Sequence, residues 1–510
     1  MRLEAREIDG WPPLAWLARC GPETVELVHG PMVEVAGDHA VEGCWTGDFA
    51  AGDIDRVPIV AGSGVRMRGD EAVFVPPSTT VDRLASLELA DGGALVSNSL
   101  FAPLAAAGAS IRERRAVRYK GKLASISRGL SECIDSVRTS HGPLQLTYFH
   151  NLAWDGRRLE RREKARVGAG FQDFESYRAF LADGFAALAR NMADPGRAQP
   201  LEFLGTLSSG YDANACTALA ARAGCARALC FETNATGRPD SGVPVARALG
   251  IEPVVIDLEA WRAAPDSGFP PEAPFLAVGR GSGLVGFHGA REELRGAVLV
   301  TGFYGDSIWN PDWEHLGPDI VRKDASGLGL SEYRLHAGFV NCAATFWAAR
   351  EVDDVVAIAR SREMEPWVAG EEYSRPVPRR IVEEDGVPRE SFGQRKSAVA
   401  RLTPHRDPRF LRPESMRDFT AWLRRNRVAL GEPRRRVSPR LDRASVRGRR
   451  LAVRAHGLAR AVPGYGGSAA ARRRHQELKG RAQSPTPMRE HSLWWAIERC
   501  RDAYAEGLEP

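Results

Sequence analysis

The sequence predicts a mixed α/β protein: a mostly-β N-terminal region, an α/β domain with a parallel sheet, and a helical C-terminal region. Three observations predict this class. Between residues 25 and 148, short apolar or alternating runs are separated by Gly, Asp and Pro turns, which is typical of strands in a sheet. From 201 to 301, near-continuous apolar runs alternate with helical patterns, which favours a parallel sheet covered on both faces. Beyond 313 the apolar spacing is mostly helical.

Individual elements follow from the spacing of the apolar residues. Five of them between 174 and 188 recur at intervals of three and four, which predicts an amphipathic helix over 174–192. Strands are expected at 25–28, 32–35, 57–60, 72–75, 94–97, 201–207, 226–233, 253–258 and 296–301. Further helices are expected at 213–223, 243–249, 333–349, 352–360, 446–462 and 492–504.

The length of 510 residues allows two or three domains, and the composition is ordinary for a globular protein. We place the domain boundaries at 1–165, 166–423 and 424–510. The first residues show no apolar stretch of the kind found in secretory signals, and no apolar run is long enough to cross a membrane. The eight cysteines include no CxxC pair, which argues against a zinc site or a disulfide framework. A reducing cytoplasm is the expected location.

The net charge of +5 is unevenly distributed along the chain. Residues 424–481 contain 18 Lys and Arg against three acidic residues, a local charge of +15, so the rest of the chain carries about −10. A basic segment on an acidic body favours an anionic partner, for which nucleic acid, an anionic membrane and a phosphorylated substrate all qualify. A solvated surface, partly disordered, or pairing with the acidic body would explain the same charges.

A strand, a tight turn and a helix follow one another over 201–225. The apolar strand ends at Leu207, the turn is Ser208-Ser209-Gly210, and Asp212 stands at the start of an Ala-rich helix. This order aims backbone N–H groups at one point, which favours binding of an anion such as phosphate. An ordinary strand-to-helix turn is the alternative.

A second polar turn, 302–306, follows the strand expected at 296–301. In parallel sheets ligands lie beyond the carboxyl ends of the strands, where both turns fall. Asp212 and Asp306 would suit Mg²⁺, which takes one or two carboxylates and completes its shell with phosphate and water. Lys396 is the candidate cation for the phosphates. Helix capping for each aspartate, and a solvated surface position for Lys396, are the alternatives.

These motifs resemble, in order, those of the asparagine synthase-like branch of the PP-loop ATP pyrophosphatases. Residues 208–213 are similar to the SGGxDS pyrophosphate loop, and 240–250 to the turn and helix that follow it. Residues 301–309 stand in place of the GEGADELF motif, and Arg395-Lys396 in place of the late catalytic lysine motif. The resemblance covers roughly 170–405. It extends more faintly to 30–105, which looks like part of a degenerate glutaminase-like domain.

The resemblance implies an AMP-forming carbon–nitrogen ligase that uses ATP and Mg²⁺. A substrate carboxylate would attack the α-phosphorus and release pyrophosphate, and an amine or ammonia would then displace AMP to give an amide. Asp212 and Asp306 would hold Mg²⁺, and Asp306, Lys396 and Tyr304 would be catalytic. The nucleotide would contact Leu207, Ser208, Ser209, Gly210, Tyr211, Asp212, Phe231 and Gly302.

The departures from the family matter as much as the agreement. No cysteine precedes Cys20, so the family's N-terminal glutaminase nucleophile is missing and we expect no ammonia from glutamine. Ala213 replaces a serine, Ser209 a glycine, and Phe303 stands where asparagine synthetases carry an acidic residue. These changes argue against asparagine synthetase itself. Two alternatives stay open: a catalytically impaired binding or scaffold protein, and an RNA-modifying PP-loop enzyme.

Overall fold

We describe the fold from a computed structural model of the chain. It covers residues 1–113, 115–168, 170–234, 237, 239–265, 268–279, 281–368, 374–394, 410–426, 439–459, 468–483 and 487–508. Within these residues the protein is mixed α/β, with antiparallel and mixed sheets at the N-terminus, a parallel sheet after them, and helices later in the chain. The predicted fold class is confirmed at this level.

Strands dominate the N-terminal region, as the alternating apolar runs predict. They are β1 (Arg2–Glu7), β2 (Trp16–Cys20), β3 (Thr24–His29), β4 (Glu34–Ala36), β5 (His39–Trp45), β6 (Val60–Arg68), β7 (Glu71–Val75), β8 (Leu84–Glu88), β9 (Ala94–Ser97), β10 (Ser136–Thr139), β11 (Gly142–Thr147), β12 (Asn151–Trp154) and β13 (Leu159–Arg162). The strand expected at 57–60 is therefore misplaced, because it starts only at Val60.

These strands form two sheets that pack face to face. One has seven strands in the order β1-β3-β2-β9-β8-β11-β10, and the other has six in the order β13-β12-β7-β6-β5-β4. Trp16 and Val96 of the first sheet share a buried cluster with Phe74 and Trp154 of the second. The Trp16 and Phe74 rings stack with centroids 6.1 Å apart. Alternating strands bury one face against such a partner sheet, and that burial supplies the main stabilisation of the pair.

The third sheet consists of five parallel strands. They are β14 (Glu202–Leu207), β15 (Arg227–Phe231), β16 (Glu252–Ile256), β17 (Ala297–Val300) and β18 (Val340–Cys342), in the order β16-β15-β14-β17-β18. Every neighbouring pair runs parallel. Four of these strands lie where the apolar runs predict them, and the parallel arrangement is confirmed.

The fifth strand corrects a prediction, since β18 lies inside the helix expected at 333–349. The helix there, Tyr333–Ala337, ends at Gly338, which adopts a left-handed conformation (φ 80°) that favours glycine. Val340–Cys342 then pairs with β17 as an edge strand buried on both faces. The strand has only three residues and its polar residue, Asn341, is also buried, so periodicity alone does not separate it from a buried helix.

The helices are α1 (Ala102–Ala106), α2 (Ala116–Ala124), α3 (Phe174–Met192), α4 (Asp212–Ala221), α5 (Val243–Ala248), α6 (Ala273–Ala277), α7 (Arg291–Leu294), α8 (Gly305–Ile308), α9 (Tyr333–Ala337), α10 (Val352–Arg360), α11 (Pro376–Glu384), α12 (Pro413–Arg425), α13 (Pro439–Ala459), α14 (Ala469–Gln483) and α15 (Pro487–Asp502). Helices α3 and α10 have the predicted bounds. No helix in the described part of the chain is both apolar and long enough to cross a bilayer.

A capping box starts α3, and its apolar face then packs inward. The Asp173 carboxylate accepts the Ser176 N–H, while the Ser176 hydroxyl bonds back to Asp173. On the buried face, the Tyr177 hydroxyl accepts the Trp309 indole N–H at 3.0 Å. This contact attaches α3 to the segment that follows β17.

A buried ion pair joins the N-terminal sheets to the α/β region. Arg334 of α9 donates two hydrogen bonds to Glu42 of β5, at 2.8 and 2.9 Å, and its Nε lies 3.2 Å from Asp82. The Glu42 and Arg334 side chains are at most 1% exposed. Burial raises the pKa of Glu42, and the charge of Arg334 offsets that rise only in part. A bidentate pair this deeply buried fixes the position of α9 against β5.

We predict that Arg334→Met lowers the free energy of unfolding by about 3–5 kcal/mol, because two carboxylates lose their buried cation. Urea unfolding followed by circular dichroism measures the loss. Arg19→Met is the control, since Arg19 and Asp91 form an ion pair that is more than half exposed, and it should change the midpoint little. Equal losses in the two variants would contradict this role of the buried pair.

Candidate functional site

The strand order places a switch point at the carboxyl edge of the parallel sheet, and the space beyond that edge between β14 and β17 is called here the crevice. From β14 the chain goes first to β15 and β16 on one side and later to β17 and β18 on the other. The connections therefore leave β14 and β17 in opposite directions, which is the topological switch point where open α/β sheets bind ligands. The two loops that border this crevice are 208–211, called here the first loop, and 301–304, called the second loop.

Asn214 fixes the shape of the first loop from inside. Its side-chain oxygen accepts the Ser208 N–H at 3.0 Å, and its amide donates to the carbonyls of Ser208 and Gly210 at 2.9 and 2.8 Å. The Ser208 hydroxyl in turn accepts the Gly210 N–H at 3.0 Å. Asn214 is fully buried. The sequence analysis missed it, although a side-chain amide in an Ala-rich helix was a signal that it bonds to nearby backbone groups.

Asp240 occupies the donors of Ser209. Both the Ser209 N–H and the Ser209 hydroxyl donate to one carboxylate oxygen of Asp240. The residue Asp240 is 2% exposed. Gly242, two residues later, lies directly on Leu207, where a Cβ would come within 2.4 Å of the Leu207 carbonyl carbon. An incoming phosphate would therefore compete with Asp240 for the Ser209 donors. At the Ser208 and Gly210 N–H groups it would compete with Asn214 and with the Ser208 hydroxyl.

The second loop is strained at Tyr304, which has a φ of 81°. This left-handed conformation costs a non-glycine residue roughly 1–2 kcal/mol, so its surroundings must hold it. The Tyr304 ring stacks on Phe346 with centroids 4.7 Å apart, and the Thr345 hydroxyl donates to the Phe303 carbonyl. Both partners follow β18, so the strand that the sequence analysis missed supports this loop.

Two glycines of the second loop and its helix bring Asp212 and Asp306 together. A Cβ at Gly302 would lie 2.7 Å from the Asp212 Cβ, and a Cβ at Gly305 would lie 2.6 Å from the Asp212 Cγ. Asp306 is the next residue after Gly305, in the first turn of α8. Both aspartates are partly exposed at the edge of the crevice. Asp306 therefore begins at a backbone that packs directly against Asp212, at the switch point.

Arg322 adds a buried cation that the sequence analysis missed. Its guanidinium donates to the carbonyls of Thr80 and Ser326 and lies 5.3 Å from the centroid of the Phe346 ring. Burial lowers its pKa to about 10, while the negative charges of Asp324 and Asp306 act in the opposite direction. Arg322 therefore stays protonated at neutral pH and contributes positive potential on the Asp306 side of the crevice.

Tyr304 is buried beside these groups. Its side chain is 2% exposed, and burial raises the pKa of the phenol, with Asp306 adding to the rise and Arg322 opposing it. The hydroxyl therefore stays protonated at neutral pH. In that state it can donate a hydrogen bond, but it is a poor general base.

The donor set at the crevice fits a magnesium ion bound together with a phosphate. Among the described residues, no group of three or more His, Cys, Asp and Glu side chains lies close enough to hold a metal ion. Structural zinc and all-protein calcium sites need more ligands than Asp212 and Asp306 provide. Mg²⁺ usually takes only one or two carboxylates and obtains its other ligands from phosphate and water.

Tyr211 and Arg379 attach a later segment to the first loop. Arg379 is fully buried and donates to the Tyr211 hydroxyl at 2.6 Å and to Glu383 at 2.8 Å. The Gly393 N–H donates to the Ser209 carbonyl at 2.8 Å. Tyr211 thus lies in the packing behind the loop. Lys396, the predicted cation, follows Gly393 by three residues and lies outside the described residues.

The two residues predicted to contact adenine lie on neighbouring strands. Leu207 ends β14 and pairs with Cys230, and Phe231 is the next residue of β15. Both side chains are at most 4% exposed. The Phe231 ring packs edge-on against Phe287 at 5.2 Å. They form the apolar floor beside the first loop.

A separate cavity of about 460 Å³ lies near the opposite edge of the sheet. Its lining includes Trp11, His288, Arg295, Tyr333 and His336, so it joins the N-terminal region to the segments that precede β17 and β18. Burial lowers the pKa of His288 to about 4. None of the predicted site residues lines this cavity.

No protein-family model and no curated protein matches the chain. The geometry of the crevice therefore carries the functional argument.

We predict that Gly302→Ala destabilises the protein by about 1–3 kcal/mol, since the new Cβ would lie 2.4 Å from the Ala213 backbone nitrogen. The thermal unfolding midpoint measures this effect. Gly121→Ala is the matched control, because no atom lies within 4 Å of a Cβ there and alanine favours the helix α2. If both variants melt together with the natural protein, the two loops do not make the close contact described above.

Proposed function

We propose that this protein is an ATP-dependent, AMP-forming ligase that activates a substrate carboxylate and transfers it to an amine or ammonia. The observation that carries the proposal is the close packing of the second loop, which leads into Asp306, against Asp212 at the switch point of a parallel sheet, beside the amino end of α4. Phosphates favour that end of a helix, and magnesium favours paired carboxylates. The resemblance to the asparagine synthase-like proteins, stated above from four motifs, points to the same chemistry.

The proposed reaction has two steps. A carboxylate oxygen of the substrate attacks the α-phosphorus of ATP, the bond to the bridging oxygen breaks, and pyrophosphate leaves. The amine nitrogen then attacks the acyl carbon, AMP leaves with the former carboxylate oxygen, and the nitrogen loses a proton. Both steps move negative charge onto phosphate oxygens, so fixed cations and N–H donors accelerate them.

Each residue near the crevice has a role in this proposal. Asp212 and Asp306 would hold Mg²⁺, which supplies charge neutralisation on the phosphates. The first loop and α4 would bind the pyrophosphate portion of ATP. The pyrophosphate would take the Ser209 N–H and hydroxyl in place of Asp240. Arg322 would offset part of the negative charge on the Asp306 side of the crevice. Tyr304 would donate a hydrogen bond, since its phenol is protonated.

Lys396 stays the proposed cation for the leaving pyrophosphate. The support is the hydrogen bond between Gly393 and Ser209, because it brings the chain to the first loop three residues before Lys396. Arg379 holds the same two stretches together through Tyr211 and the Gly393 carbonyl.

The eight cysteines are all free, in accord with the proposed cytoplasmic location.

A second candidate is a binding or scaffold protein that keeps the fold and has lost catalysis. The observation that favours it is the occupation of the Ser209 N–H and hydroxyl by Asp240. A carboxylate in that place repels phosphate and takes two donors that a pyrophosphate would use. Ala213 and Phe303, which depart from the family motifs, favour the same interpretation.

We predict that the natural protein binds Mg·ATP and that Asp306→Asn weakens this binding at least 10-fold, because one carboxylate ligand becomes a neutral amide. Isothermal titration calorimetry with Mg·ATP measures the affinity. Asp312→Asn, at an exposed aspartate after α8, is the control and should bind like the natural protein. Exchange of labelled pyrophosphate into ATP, with a set of candidate carboxylic acids, then tests for catalysis.

The outcomes separate the two candidates. Binding without exchange for any acid would support the scaffold protein, whereas no binding at millimolar Mg·ATP would contradict the ligase. Equal affinity in Asp306→Asn and Asp312→Asn would remove Asp306 from the metal site.

A further inference from the structure

Helix α13 presents a charged and apolar stripe that the strand-end site does not use. Arg447, Leu451, Arg454 and Leu458 follow one another at intervals of four, three and four residues, so they lie on one face of the helix. Leu451 is 63% exposed and Leu458 is 76% exposed. Both arginines are also exposed. Two large aliphatic side chains in line on a solvent-facing helix are unusual for a surface with no partner.

The opposite side of α13 faces the protein. Val453 and His456 are half-buried, and the His456 ring stacks on His475 of α14 with centroids 5.6 Å apart. None of the side chains described between 444 and 459 is fully buried. The helix therefore lies on the outside of the molecule and is attached along one side, with its stripe facing away from that side.

The charge around the stripe selects the kind of partner. Helix α13 carries six arginines and one aspartate, and α14 carries five Lys and Arg and one glutamate. Together the two helices have a net charge of +9, so a second copy of this surface would be repelled. An anionic partner is electrostatically complementary.

The leucines distinguish among anionic partners. The arginines alone would satisfy the phosphates of a nucleic acid, and leucines make no contact with phosphate. A membrane surface takes both groups, since leucines enter the boundary between headgroups and acyl chains while arginines remain with the lipid phosphates. A convex helix face also matches a flat surface better than it matches a groove. We propose that the stripe on α13 docks this protein on an anionic lipid surface.

This docking is independent of the ligase chemistry proposed above, because none of the stripe residues borders the crevice. The contact is interfacial and reversible, as expected for one amphipathic helix with two aliphatic anchors.

The test is co-sedimentation of the full chain with vesicles of phosphatidylcholine containing 30% phosphatidylglycerol, and with pure phosphatidylcholine vesicles. We expect binding to the anionic vesicles only, weakened at high salt. The double variant Leu451→Ser/Leu458→Ser should lower the vesicle affinity at least 10-fold. Val117→Ser, at a 61% exposed valine of α2, is the control and should bind as the natural protein does.

Two results would overturn the proposal. One is absence of binding to anionic vesicles at low salt. The other is vesicle binding that is unchanged in the double leucine variant and is competed by single-stranded RNA, which would assign the surface to nucleic acid through its arginines alone. Circular dichroism of each variant shows whether the helices are retained. The charge reversal Arg447→Glu/Arg454→Glu leaves both leucines in place and should abolish vesicle binding.

Discussion

The candidate site depends on the absence of side chains at Gly302 and Gly305. Only glycines let the second loop lie against Asp212, because a Cβ at either position would come within 2.7 Å of the Asp212 side chain. That contact brings Asp306 close to Asp212 and closes the crevice between β14 and β17. Backbone atoms of Asp212 and Ala213 lie nearest to Gly302 and cannot move aside as a flexible side chain could. A side chain at Gly302 would therefore displace both loops.

The rest of the fold supports this contact from several sides. Thr345 and Phe346, which follow the edge strand β18, hold the strained Tyr304 in place. Asn214 stabilises the first loop from within α4. On the far side of the sheet, the buried pair of Glu42 and Arg334 fixes α9, which leads into β18. The N-terminal sheets thereby help to position the strand that supports the second loop.

The sequence allowed the parallel sheet to be predicted because β14, β15, β16 and β17 are uninterrupted apolar runs, each followed by turn residues. The placement of Asp212 and Asp306 at the same edge followed from the general rule for such sheets. Strand β18 was missed because three residues, Val340–Cys342, are too few to show a strand period among the apolar residues around them. The contacts of Asp240, Arg322 and Arg379 were missed for another reason, since their partners are distant in sequence, up to 242 residues for Arg322 and Thr80.

The candidate site carries more negative than positive charge, although its proposed ligand is also negatively charged. Asp212, Asp240 and Asp306 place three carboxylates around the crevice, whereas Arg322 supplies one buried cation among the described residues. Such a site repels a bare nucleotide and accepts one that arrives with its magnesium ion, because the ion compensates both sets of negative charge. In the ligase the magnesium ion would offset enough of this negative charge for the phosphates to bind, and in the scaffold protein it would not.

A crystal structure of the protein with AMP, Mg²⁺ and pyrophosphate tests the central claim most directly. The account predicts magnesium bound between the Asp212 and Asp306 carboxylates, with pyrophosphate at the amino end of α4 and adenine beside Leu207. Ligands bound elsewhere, or a site in which Asp240 still holds Ser209 and no pyrophosphate enters, would contradict it.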